Sequence, residues 1–201
     1  DPRRATEVGE DPTWGVGLVM WPPTRRGQPA PADTKQRLLI YGHPNAVDIG
    51  QMAYELTYYA AALDCIVLAY EFRGYGLCEG KPSEEACVVD LKSAIRWGVD
   101  VLGFPVDAMI LMGRSIGTGP ATQLAAAFGR VARRRADAAA NEGDAETAAP
   151  TAVFSGPAML VLEAPFTSIR QCTGALARTL GLSAMSDFAA GVGGGRVKSI
   201  D

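Results

Sequence analysis

The stretch LMGRSIGTGP, residues 111–120, decides how this chain is read. The run AMILMG, residues 108–113, has the apolar character of a buried strand and leads straight into Arg114-Ser115, with helix-forming sequence from about 116 to 128. Gly113-Arg114-Ser115-Ile116-Gly117 fits G-x-S-x-G in the strand–turn–helix setting that this motif requires. The spacing has a steric cause: a serine on a sharp turn lifts its hydroxyl to the tip of the sheet, and residues two before and two after must lack side chains for neighbouring backbone to pass. The next backbone N–H, from Ile116, then lies at a helix N-terminus, where it can receive an oxyanion. The alternative is a tight strand-to-helix turn in which Ser115 caps the helix. A nucleophilic serine needs a base to take its proton. The chain holds one histidine, His43, far upstream.

Outward from that turn, strand-like and helix-like segments alternate, the pattern of parallel βαβ construction. WGVGLVMW (14–21) alternates weakly and ends at Pro22-Pro23, as an edge strand does. RLLIYG (37–42) and the nearly continuous apolar run CIVLAYEF (65–72) read as strands covered on both faces. Between them Asp48 is placed to cap a helix whose apolar positions are Met52, Leu56, Tyr59 and Leu63. After the turn RGYGLCEGKP, a helix starts near Ser83, with Val88, Leu91, Ile95, Val99 and Leu102 as its buried stripe and Gly103 and Pro105 as its stop. AMLVLEAP (158–165) reads as a further buried strand. The expected fold class is α/β, a doubly wound and mostly parallel sheet in one domain over residues 1–201. Two segments stand apart from it: a Pro-rich loop at 22–36, and an Ala-rich, charged, low-complexity insertion at 129–157, partly helical or disordered, on the surface.

Composition narrows the function classes. With 201 residues and 48% hydrophobic content, the chain can bury one sizeable core. A net charge of −3 gives no electrostatic argument for nucleic acid or an anionic membrane. The four cysteines (65, 78, 87 and 172) form no C-x-x-C pair, so neither a zinc site nor a disulfide framework is indicated, and a reducing, cytoplasmic compartment is expected. No run approaches the roughly 18 apolar residues of a membrane span. GYGLCEGKP is off register for a phosphate-binding loop, with Pro82 where a hydroxyl would hold magnesium, so no nucleotide or other cofactor is expected.

Four blocks in order, HPNAVDIGQM, YEFRGYGLCEGKPSEE, LMGRSIGTGPA and VLEAPFTSI, resemble the alpha/beta-hydrolase group that includes the membrane-associated protein depalmitoylases and related serine hydrolases. The resemblance runs from about Gly15 onward, apart from the insertion. It implies the alpha/beta-hydrolase fold with Ser115 as nucleophile, and an oxyanion hole from the backbone of Ile116 and Asn45. It also implies an R-G-Y-G turn, here Arg73 to Gly76, that shapes the site through Arg73 and Tyr75, with His43, Gly113, Arg114 and Gly117 around it. The implied reaction is two-step acyl transfer from an ester or thioester, the substrate being an acyl ester or an acylated protein.

The sequence departs from that pattern twice. The family's H-G-N is His43-Pro44-Asn45 here, placing a proline, which has no N–H, beside the second oxyanion donor. The triad order of this fold is Ser, then Asp or Glu, then His, and no histidine follows Ser115. The chain neither opens on Met nor extends past VKSID, so the expectation is an N-terminal portion whose catalytic acid and base lie beyond residue 201. His43 is read as a structural histidine, with a surrogate base as the alternative; Glu163, at the tip of the following strand, occupies a position where some hydrolases of this fold carry their acid. Membrane attachment in the depalmitoylases uses an N-terminal cysteine-rich segment, absent before Cys65, so it does not carry over; peripheral attachment would require a preceding anchor. The alternative to a serine hydrolase is a catalytically silent hydrolase fold that serves as a binding or scaffold module.

Overall fold

The structure is a computed structural model that describes residues 15–25, 36–141 and 156–168. Its strands are Gly17–Met20 (β1), Leu38–Gly42 (β2), Ile66–Tyr70 (β3), Met109–Arg114 (β4) and Met159–Glu163 (β5). The helices are Ala53–Leu63 (α1), Glu84–Asp100 (α2) and Thr118–Asn141 (α3). All lie in a unit that ends at Ala164; Pro165–Asp201 group separately.

The sheet order is β1-β3-β2-β4-β5. Strands β3, β2, β4 and β5 run parallel, and β1 pairs antiparallel on the edge of β3. β2 and β3 are buried along their whole length, which is why they read as unbroken apolar runs.

The order of crossing decides where a site forms. The chain leaves β2 through α1 toward β3, then returns over β2 through α2 to reach β4, and continues in the same direction through α3 to β5. Parallel crossovers are right-handed, so the reversal puts α1 on one face and α2 and α3 on the other. The two cores follow. Met52, just ahead of α1, and Leu56 and Ala60 of α1 pack on Leu39, Tyr41, Val67 and Ala69. Leu91, Ala94 and Ile95 of α2 and Leu124 of α3 pack on the opposite rows, Leu38, Ile40, Ile66, Leu68 and Leu111. Burying each large apolar side chain contributes roughly 1.5–3 kcal/mol. Ligands of open α/β sheets bind at the carboxyl ends of the strands where winding reverses. Here that crevice lies between the end of β2 and the end of β4.

Several local expectations hold. Ser83 caps α2, its hydroxyl accepting from the Ala86 N–H at 3.0 Å. β1 is an edge strand.

Others change. Asp48 does not cap α1: it accepts from the Gln51 N–H at 2.9 Å and the Gln51 amide at 3.1 Å, closing the turn ahead of a helix that starts at Ala53. The inner face of α2 is Leu91, Ala94, Ile95 and Gly98, and Val99 is 39% exposed. Gly98 is there because an added Cβ would stand 2.7 Å from the Leu38 side chain, so the helix sits close on the sheet. α3 does not stop near 128 but continues to Asn141, taking up the first part of the low-complexity segment, whose alanines and arginines favour helix. Residues 142–155 of that segment, and 26–35 of the Pro-rich loop, lie outside the described residues. β5 is not a buried strand: Met159 is 55% exposed, because β5 is the last strand of the described sheet.

Burial also sets a pH limit. It pushes the Cys65 and Cys87 thiols from 9.0 up to about 11, and burial with the Glu55 charge pushes the Tyr41 hydroxyl from 10.0 to about 12. The folded state holds these protons more tightly than the unfolded chain. Their stabilisation is complete below about pH 9 and is lost as pH rises toward 11–12. The urea midpoint is therefore expected to fall between about pH 8.5 and pH 11; a flat midpoint across that window contradicts the assignment.

Candidate active site

The turn at the end of β4 has the steric form that its glycines demand. A Cβ on Gly113 would collide with the Gly117 carbonyl, and would stand 2.7 Å from the Thr118 Cα. A Cβ on Gly117 would collide with the Gly42 carbonyl oxygen and lie 3.1 Å from the His43 carbonyl oxygen. The obstacles are backbone, which cannot rotate aside. These contacts bring the end of β2 against the start of α3 and fix the crevice between them.

Ser115 takes a φ of +51°, a left-handed conformation for a residue with a side chain. Such strain costs on the order of 1–3 kcal/mol and persists only when surrounding structure enforces it. A single 3-10 turn, Ser115–Gly117, leads into α3. Thr118 Oγ1 donates to the Ser115 carbonyl at 2.6 Å. The Ser115 hydroxyl makes no hydrogen bond to any described residue, so it does not act as a helix cap.

Across the crevice, Asn45 lies exposed on the turn after β2, with Ala46 next to it at a φ of +62°. The Tyr75 hydroxyl donates to Asn45 Oδ1 at 2.7 Å, tying the R-G-Y-G turn to the residue named for the oxyanion hole. That turn is itself anchored. Asp90 of α2 accepts from the Arg73 backbone N–H at 3.0 Å and from its guanidinium at 3.0 and 2.8 Å. Arg73 thus holds the turn that carries Tyr75.

His43 is fully buried, and its ring nitrogens face partners other than Ser115. Its ring packs on Phe72 at 4.4 Å and edge-on to Tyr75 at 5.4 Å. Nδ1 stands 2.9 Å from the Pro44 carbonyl, which can only accept, so that nitrogen carries a proton. Nε2 accepts from the Phe72 N–H at 3.5 Å and stands 2.7 Å from Glu71 Oε1, a close contact without hydrogen-bond alignment. The other Glu71 oxygen accepts from the Ile49 N–H at 3.1 Å. Both ring nitrogens are thereby occupied, and the surrogate-base alternative fails on geometry. The pair is structural: replacing His43 with alanine leaves a buried carboxylate without its partner and is expected to cost about 3 kcal/mol in urea unfolding. A loss under about 1 kcal/mol contradicts that role.

On the α1 face of the crevice, Arg114 reaches two carboxylates. Its Nη1 lies 3.3 and 3.1 Å from the two oxygens of Glu55, and its Nε lies 3.1 Å from Glu163 Oε1. Glu163 is therefore paired with the neighbour of the serine. Glu55, Glu71 and Asp90 were not singled out by sequence. Glu71 was discoverable: a carboxylate ending an otherwise apolar strand requires a partner. Among the described residues no group of three or more His, Cys, Asp or Glu side chains could hold a metal ion. No described helix is long and apolar enough to cross a membrane.

Comparison with known proteins finds relatives of part of the chain. The chain is 41% identical over 87 residues to the alpha/beta hydrolase domain-containing protein aho-3 of Caenorhabditis elegans, covering 43% of this chain and 26% of that protein. It is 34% identical over 97 residues to the human alpha/beta hydrolase domain-containing protein 17C, covering 48% and 30% respectively. The alignments thus take in only 26–30% of the length of these relatives. No family model matches the chain. Among solved structures, an alpha-beta serine hydrolase homologue from Coxiella burnetii overlaps at a TM-score of 0.40 with 21% identity, over 55% of each chain. The thioesterase domain from the curacin biosynthetic pathway overlaps at 0.43 with 15% identity, over 60% of this chain and 40% of that one. At these TM-scores the overlaps carry no argument.

Proposed function

From a chain that has the alpha/beta-hydrolase fold and is related to the alpha/beta hydrolase domain-containing proteins, we propose a serine hydrolase that cleaves an acyl ester or thioester, in the manner of a depalmitoylase. The observation that carries this reading is the left-handed Ser115 turn, with its hydroxyl unpartnered among the described residues.

In this mechanism Ser115 Oγ attacks the acyl carbonyl, and the carbonyl oxygen, now an oxyanion, accepts from the Ile116 and Asn45 backbone N–H groups. Collapse expels the alcohol or thiol, and water then releases the acid from the acyl-serine. Because His43 is committed to Glu71 and Pro44, the reading takes its acid and base from outside residues 1–201. Acyl esters or acylated proteins are the substrates, with no cofactor and no nucleic acid, in the cytoplasm.

A second reading has an observation of its own: the one histidine of the chain is locked away from the serine, which favours a silent hydrolase fold used for binding. Turnover of a series of acyl thioesters, followed by thiol release, separates the two. Release above the buffer rate at any chain length supports the hydrolase. No release across the series favours the binding module.

A further inference from the structure

Arg114 is the last residue of β4, and its side chain follows Ile110 and Met112 on the α1 face of the sheet, where every second residue points. At the rim of that face the apolar row ends in a charged group. Glu55 comes from the first turn of α1, and Glu163 is the cross-strand partner of Arg114 in β5. Arg114 touches both, at 3.1 Å to Glu55 Oε2 and 3.1 Å to Glu163 Oε1. The Tyr59 hydroxyl donates to Glu55 Oε1 at 2.6 Å and fixes that carboxylate from one helical turn on. One guanidinium thus ties α1, β4 and β5 together at the residue that precedes a left-handed serine.

We infer that the Glu55–Arg114–Glu163 brace is the positioning device for Ser115; the inference rests on Ser115 being the nucleophile. A side chain anchored to two other elements orients the 114–115 peptide and so adds to the backbone contacts at Gly113 and Gly117 that hold Ser115 at positive φ. Arg114 is a positioning residue: its guanidinium is already held by two carboxylates and is not offered to substrate. Ion pairs this exposed, with Arg114 at 36% and Glu163 at 39%, add little to folding stability. The brace therefore affects reactivity far more than unfolding.

The test measures the rate at which a fluorophosphonate probe labels Ser115 in the full-length protein, alongside the urea midpoint. Arg114→Met is expected to slow labelling by about ten- to a hundredfold, with Glu55→Gln and Glu163→Gln each slower by about tenfold, at an unchanged midpoint. Raising sodium chloride to about 0.5 M slows the wild type and leaves Arg114→Met unaffected, because salt screens only the intact brace. A merely structural ion pair would not produce that salt difference. Independently of any activity, the three-bond coupling between the Ser115 amide and α protons reports φ, and it is expected to move from its left-handed value in Arg114→Met. Labelling of Arg114→Met within about twofold of wild type overturns the inference. If the wild type takes no probe, the acyl-transfer reading fails and the coupling alone decides the brace: an unchanged coupling overturns it.

Discussion

Ser115→Ala is expected to abolish thioester turnover, lowering kcat/KM by about 10⁴-fold or more at an unchanged urea midpoint. The size follows from the chemistry. Without Oγ there is no acyl-enzyme, and a water molecule would have to attack without the orientation that the turn between β4 and α3 provides. The backbone N–H groups proposed as oxyanion donors, those of Ile116 and Asn45, survive the substitution, so a small residual rate over buffer is expected to remain. Stability should not fall, because the Ser115 hydroxyl has no partner among the described residues to lose. The binding-module reading predicts the opposite pattern, with no Ser115-dependent turnover at all.

Gly117→Ala is expected to cost about 4 kcal/mol or more, in the exceptional range for a single substitution. The added methyl would enter the space held by the Gly42 carbonyl, and the obstacle is the backbone of β2 rather than a rotatable side chain. Relief would require parting β2 from the start of α3, which opens the crevice itself. Gly119, two residues on, is the internal control: a Cβ there meets nothing within 4 Å. Gly119→Ala should be neutral or stabilise by up to about 1 kcal/mol through helix propensity. Urea unfolding of the two variants side by side checks the pair; equal midpoints would contradict the close-packed turn.

How far the sequence could be read depended on whether a feature was local. The G-x-S-x-G turn, the Ser83 cap and the apolar strands β2 and β3 each depend on residues a few positions apart, and each was legible. The motif places Arg114 beside the serine but does not name its partners. Its role needs the register that sets it beside Glu163 and the sheet face that turns it toward Glu55 on α1, and neither is encoded locally. The His43–Glu71 pair joins the ends of two strands that become neighbours only once the sheet forms. The sequence of β5 is that of a buried strand, yet most of its side chains are exposed because β5 is the last strand of the described sheet, and which strands flank it is not encoded in the strand itself. α3 runs past residue 128 into the segment read as partly helical or disordered, because alanine and arginine continue a helix without a core.

The most direct test of the central claim is to incubate the full-length protein with a fluorophosphonate, digest it with trypsin and locate the adduct by mass spectrometry. The account predicts one stoichiometric adduct, on the peptide that begins at Ser115 after cleavage at Arg114, and none in Ser115→Ala. An unmodified Ser115 peptide under conditions that label a known serine hydrolase to completion would contradict it.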